Sequence, residues 1–355
     1  DEAARAEGHC WRGCALRRQG DMNAAFIEYE QAREIAERID APATLSTSLE
    51  GLANVAWAQR DYAAAEARLE RSLTLRKQLG NKRDEAIVHN MLGIVLQRQG
   101  NYEGARRNYR QGLELRRISG DLRGQVVSQN NLGTLAYEVG AIEEARQAYA
   151  EALRLCQQAE DIWGAAIAQL GLGWTAFDVD DRETAQQHAE ASLTGLRQAS
   201  DPLRAGQAEY LLGRVAQARG EIKTAAARFS AALELWRKAN QAGHITLGAS
   251  ALAHACAEQG QSDQAYSLLD QALAALEREP LPAGVVRPSR VHLHCYQTLR
   301  ALGDPRAQTI LSRAQTFLQT QAAWLPTPVA EQFLHQIPEH RALLAASLPI
   351  PETDD

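Results

Sequence analysis

Small and apolar residues recur along this chain in a 40-residue frame. Gly20, Gly100, Gly140, Gly220 and Gly260 fall in one column, with Arg60 and Asp180 at the two remaining places. Seven residues earlier stand Gly13, Ala53, Gly93, Gly133, Gly173, Gly213 and Ala253, and from the second unit onward a leucine precedes each (52, 92, 132, 172, 212, 252). Five residues after the turn every unit has alanine: Ala25, Ala65, Ala105, Ala145, Ala185, Ala225 and Ala265. Seven further on come Ala32, Ser72, Gly112, Ala152, Ser192, Ala232 and Ala272. Positions seven apart share a helix face, so each second helix carries a stripe of small side chains. Two antiparallel helices, and the next unit's first helix, can then approach closely. Tyr29, Leu69, Tyr109, Tyr149, Phe229 and Leu269 fill the flanking space. One hairpin cannot bury such a face alone, so neighbouring hairpins stack. The pattern predicts an all-α solenoid of antiparallel helix pairs, with seven hairpins over residues 1–278.

Beyond that point the frame breaks. Residues 279–288, EPLPAGVVRP, hold three prolines, and residues 289–325 resume as an eighth, degenerate hairpin that turns at Gly303. After Pro326 and Pro328, VAEQFLHQI and PEHRALLAASL read as short amphipathic helices, the second opened by a proline at the position helices tolerate best. Residues 326–355 are therefore expected to be a cap and tail that seal the last hairpin.

Composition narrows the function classes. The chain has 355 residues, a net charge of −6 and 45% hydrophobic content. That balance offers no general attraction to nucleic acid or anionic lipid, and no apolar run reaches the roughly 20 residues of a membrane span. The amino terminus, DEAARAEGHCWRGC, lacks an initiator methionine and a signal-peptide pattern, and reads as a cut within a larger protein. Five cysteines without a C-x-x-C pair fit reduced thiols and a cytoplasmic setting.

The small, alanine and small columns, with LG in the first helix and a tyrosine-x-x-alanine pattern after the turn, resemble the tetratricopeptide repeat. NMLGIVLQRQGNYEGARRNYRQGLEL and NNLGTLAYEVGAIEEARQAYAEAL resemble it most closely, while the fifth repeat, DVDDRETAQ, departs at its turn. The usual unit is about 34 residues, so 40 implies about six more, shared between the helices. The stretch from CYQTLRALGDPRA to FLHQIPEHR resembles the end of bacterial regulators in which a STAND-class ATPase precedes such an array. The resemblance implies a right-handed superhelix whose first helices line a concave groove, and a non-catalytic binding scaffold or sensor arm. No phosphate-binding loop, kinase, cyclase or nucleophile-elbow motif is present. No cofactor or metal is implied.

The groove residues follow from counting back ten, six, three and two places from each turn. Those columns hold Asn54, Trp57, Asn90, Gln97, Asn130, Tyr137, Trp174, Phe177, Tyr210 and Arg214. Rings supply apolar area and amides satisfy peptide groups, which suits a peptide or protein segment. In repeats resembling these, asparagine in the tenth-back column, here Asn90 and Asn130, holds an extended backbone. The same residues admit two other readings: the rings fill the interior, or Trp174, Phe177 and Tyr210 stack on a small-molecule effector with Arg214 as polar anchor. His9, Cys10 and Cys14 lack further ligands for a closed metal site. His292 and His294 point to different helix faces, and His335 and His340 are expected to be helix-capping or exposed.

Overall fold

The computed structural model describes residues 1–279, 282 and 284–346; the rest of the 279–288 break and the tail beyond 346 lie outside the described residues. Among the described residues there are eighteen helices and no strand. Seven hairpins come first: α1 (Glu2–Gln19) with α2 (Met22–Arg38), α3 (Pro42–Ala58) with α4 (Tyr62–Leu79), and α5 (Lys82–Arg98) with α6 (Tyr102–Ile118). Then follow α7 (Leu122–Glu138) with α8 (Ile142–Ala159), α9 (Ile162–Asp178) with α10 (Arg182–Gln198), α11 (Pro202–Ala218) with α12 (Ile222–Lys238), and α13 (Ala242–Glu258) with α14 (Ser262–Arg278). An eighth pair, α15 (Ser289–Ala301) and α16 (Arg306–Ala323), precedes the short α17 (Thr327–His335) and α18 (Pro338–Ala345). The chain is all-α, a solenoid of antiparallel helix pairs.

The helix boundaries follow a 20-residue beat inside the 40-residue frame. Each connection is closed by one residue in the left-handed region, such as Gly100 (φ 80°) and Gly220 (φ 79°). Arg60 and Asp180 adopt the same conformation at φ 65°, which explains why the column tolerates them only at some strain. The intervening turns use Asp40, Gly80, Gly120, Glu160, Ser200 and Asn240 in the same way. One residue later a short polar side chain usually caps the next helix: Asp21, Asp61, Asn81, Asn101, Asp161, Asp181 and Asp201 each accept a backbone N–H three residues on. The six residues beyond the usual repeat are thus spread over both helices, which are 17 or 18 residues long throughout the seven hairpins.

The small columns are where large side chains from a partner helix land. A Cβ at Gly93 would lie 2.4 Å from the Tyr109 ring, and one at Gly213 would lie 2.5 Å from Phe229. The alanines five residues after the turn are all fully buried. Ala145→Leu should therefore overpack the α7–α8 hairpin and cost about 1 to 3 kcal/mol. A thermal melt of that variant indistinguishable from wild type would show that the contact is not tight.

The chain divides into two compact units, residues 1–135 and 136–355. In the first, successive hairpins are joined by apolar clusters and by buried arginines. Arg76 on α4 donates to Glu50 on α3 and to Asp84 on α5, and Arg116 on α6 donates to the Gly124 carbonyl and Ser128 on α7. In the second, the largest cluster runs from Tyr210 through Trp236 and Leu269 to Leu299, Leu318, Phe333, Ile337 and Leu343. The carboxyl-terminal helices are thus part of the core of that unit. α15 packs chiefly on α13 rather than on α14. Ile337 and the Gln332 carbonyl reach the α7–α8 turn, both 3.1 Å from where a Cβ on Gly140 would stand. α17 and α18 pack on α15 and α16 of the eighth hairpin and also fold against the repeats.

Candidate functional site

The candidate residues divide between the two units. In the first unit Asn54, Asn90 and Gln97 are half-buried and Trp57 is 40% exposed, a large ring left open to solvent. Asn54 donates to the carbonyl of Glu50, one turn back on its own helix. Asn90 accepts from the Asn131 amide at 2.7 Å, and Gln97 accepts from the Tyr109 hydroxyl at 2.9 Å. The first helices carry there amides, one indole and the half-buried Met91 and Ile94, with Glu50 and Arg98 in the same columns. Asn130 is 6% exposed, so its place on an open surface is corrected. The tenth-back column is interior further along as well, since Leu170, Tyr210 and Ser250 are buried.

In the second unit the structure brings Tyr137, Trp174, Phe177, Tyr210 and Arg214 together. Trp174 lies 6.5 Å from Tyr137, 5.8 Å from Tyr210 and 6.0 Å edge-on from Phe177, measured between ring centroids. The Arg214 guanidinium sits 5.3 Å over Phe177 and reaches the Tyr210 hydroxyl at 3.4 Å. An occupant from the chain itself fills this set. The Arg290 guanidinium lies 3.9 Å over the Trp174 ring and donates to the Tyr137 hydroxyl at 2.5 Å, while Arg287 lies 3.7 Å over the Tyr137 ring and donates to the Tyr137 carbonyl at 2.6 Å. Such cation–π contacts strengthen when desolvated. Tyr137 and Tyr210 are accordingly buried, and their assignment to an open groove is corrected; Trp174, Phe177 and Arg214 remain half-buried.

Two carboxylates balance the arginines. Asp178 accepts from Arg287 at 2.5 Å, and Glu339 on α18 accepts from both Arg287 and Arg290. Burial would raise the Glu339 pKa, but Arg290 and Arg287 outweigh it and hold this carboxyl far below the usual range. Burial raises Asp178, with the Glu339 charge adding and Arg287 opposing. Burial likewise pushes the Tyr137 phenol upward, against the pull of both arginines.

Two histidines seal the same region. His294 bonds Tyr210 through Nε2 at 2.9 Å, and its Nδ1 is buried with no partner among the described residues. Burial, with Arg214, His254 and Arg290 nearby, holds it well below the ordinary histidine range. His340 is buried rather than exposed, and it caps the carboxyl end of α17. Its Nδ1 meets the Phe333 carbonyl at 2.6 Å and its Nε2 meets Ser289 Oγ at 2.8 Å. Its pKa is drawn down to about 4, chiefly by burial. His335 is exposed. His292, on another face of α15, stacks on Phe317 at 5.8 Å beside a cavity of about 880 Å³ between α14 and α16.

Asp178, Arg287, Arg290, His294 and Glu339 were absent from the sequence-derived set. Asp178 stands two places before its turn, in a column counted as inward-facing, so that signal was present. The others lie outside the 40-residue frame and have no column.

These observations define a helical-repeat scaffold whose first-helix surface is open in one unit and closed by its own chain in the other. Models described as tetratricopeptide repeat match residues 4–78, 43–118, 84–158 and 249–283, together more than half of the chain. The chain belongs to the tetratricopeptide-repeat family.

Solved structures share the fold at low identity. One is a Rap protein complexed with competence and sporulation factor, with TM-score 0.62 and 14% identity over 96% of each chain. The Rap conjugation gene regulator of the plasmid pLS20, in complex with the Phr* peptide, gives 0.65 and 13% over 90% of this chain and 96% of that one. A STAND protein with a tetratricopeptide-repeat sensor from Pyrococcus horikoshii gives 0.56 and 18% over 67% of this chain and 37% of the other. Comparison with curated proteins finds no match. No described helix is long and apolar enough to cross a membrane.

Proposed function

We propose that this chain is a non-catalytic binding scaffold that takes an extended peptide or protein segment on the first-helix surface of its amino-terminal repeats. The observation that carries this reading is the contrast between units. The aromatic set of the second unit already holds Arg287 and Arg290, whereas Trp57, one turn from Asn54 on α3 and among the inward columns that also hold Asn90 and Gln97 on α5, is 40% exposed. Amides and an indole suit peptide backbone groups and one apolar anchor. The Rap conjugation gene regulator in complex with the Phr* peptide, similar in fold, supports the peptide class. A place as the sensor arm of a larger regulator is supported by the likeness to the STAND protein with a tetratricopeptide-repeat sensor.

The test begins with peptides selected from a random extended-peptide library on the wild-type chain. Trp57→Ala should weaken the selected binders at least tenfold, about 1.4 kcal/mol, while lowering the melt less than removal of a fully buried ring would, because this ring is 40% exposed. Asn90→Ala should act in the same direction. Binders indifferent to both substitutions would sink the reading.

A second reading, a small-molecule effector, is favoured by the cavity between α14 and α16, whose walls include Leu273, Ile310, Phe317, His292 and Arg313. Its volume is in the range of ligand pockets. A compound found by thermal shift on wild type should lose its effect in Ile310→Trp, which fills the cavity; an undiminished shift would remove this reading.

A further inference from the structure

The outer face of α1 differs from the same face of every later first helix. Gly8, Trp11 and Ala15 lie along it at helical spacing, and Trp11 is 76% exposed. Ser48, Val88, Ser128, Ala168, Ala208 and Gly248 occupy the Gly8 column and are all buried. The Ala15 column, Val55, Val95, Leu135, Thr175, Val215 and Ala255, is also wholly buried, whereas Ala15 itself is exposed. In those hairpins the face is covered by the second helix of the hairpin before it.

The covering contact follows a size rule in the Trp11 column. Tyr29 on α2 sits against Gly51 and Tyr149 on α8 against Gly171, so closely that a Cβ would lie 2.3 Å and 2.4 Å from the rings. Where the covering position is small the order reverses. Ala189 on α10 shares a cluster with the fully buried Leu211. Phe229 on α12 shares one with Ala251, and Leu69 on α4 shares one with Met91. Large meets small at Tyr29, Tyr149 and Phe229 and medium meets medium at Leu69, as close packing favours, while Tyr109 on α6, opposite Asn131, departs from the rule and sits against Gly93 of its own hairpin.

We propose that the outer face of α1 is a stacking surface for one further tetratricopeptide hairpin, set in the array's own register, whose second helix carries alanine or glycine at the place of Ala189. Trp11 is the largest residue in its column and demands the smallest counterpart. A tyrosine there, as in α2, α6 and α8, would collide with the indole. The occupant is thereby specified by side-chain size at one position as well as by its repeat class.

The test repeats residues 161–200 immediately before Asp1, which preserves the 40-residue register and sets a copy of α10 against α1 with its alanine opposite Trp11. Trp11 is read as the fluorescence difference between each chain and its Trp11→Phe variant. With the added hairpin, Trp11 emission should shift to shorter wavelength and its quenching by acrylamide should be lost, and the melting temperature should rise. Ala189→Tyr in the added copy alone should reverse all three changes. Adding Trp11→Gly to that chain should restore the higher melting temperature, because the size pair is then swapped as at Tyr29 and Gly51. Equal quenching of Trp11 with and without the added hairpin would overturn the proposal, as would identical behaviour of the alanine and tyrosine copies. So would a wild-type dimer in sedimentation that Trp11→Ala converts to monomer, since the occupant would then be a second copy.

Discussion

Glu339→Ala is expected to cost the second unit about 3 to 5 kcal/mol, the loss typical when one partner is removed from a buried ion pair. Glu339 is 2% exposed and accepts from two guanidinium groups that are themselves buried against Tyr137 and Trp174. Without it, Arg287 and Arg290 share only Asp178 as a counter-charge, and Asp178 is drawn toward its neutral form by burial. The excess positive charge has no route to water while α15 and α18 stay docked. The variant should therefore show a lower denaturant midpoint and faster proteolysis within 284–346. Arg341→Ala, one exposed residue on the same short helix, should stay within about 0.5 kcal/mol of wild type. Equal midpoints for the two variants would mean that the cluster contributes no net hold on the carboxyl-terminal helices.

Mild acid should loosen the same region. The folded protein keeps His340 neutral down to about 4, whereas the unfolded chain protonates it near the ordinary value of 6.5. As pH falls through that window the unfolded state binds the proton first, so stability drops, by up to about 3 kcal/mol for this one ring. His294, displaced in the same direction, adds to the loss. Asp178, whose pKa is raised, works against it by taking up a proton in the folded state. The contribution of His340 is isolated by comparing wild type with His340→Gln at pH 7 and pH 4.5. The wild type should lose more stability than the variant between those two pH values. Parallel loss in both proteins would show that this imidazole is not buried in solution.

The repeat architecture was legible because it is local and periodic. Small residues at fixed places, a turn residue every 40 positions and leucines beside them specify a hairpin whose neighbours look like itself, so one register predicts all seven. The 20-residue beat was equally written, in Asp40, Gly80, Gly120, Glu160, Ser200 and Asn240, but only the glycines among them announce a left-handed turn. The association of Trp174, Phe177, Tyr210 and Arg214 was also readable, since neighbouring hairpins in register place equal columns side by side.

What fills that association was decided by tertiary structure alone. Arg287 and Arg290 belong to a proline-broken segment with no period, and Glu339 to a short helix some fifty residues further on. Nothing in their spacing says that both arginines lie on the rings of Tyr137 and Trp174 or that one carboxylate answers both. His340 read as a helix-capping or exposed residue beside a proline, and it caps α17 from a buried position for the same reason: its helix folds into the unit rather than past it. Periodic contacts repeat a short-range rule and can be read from the chain. A single return of the chain end onto its own repeats is a long-range choice, settled by how much apolar and charged surface that one docking can bury and pair.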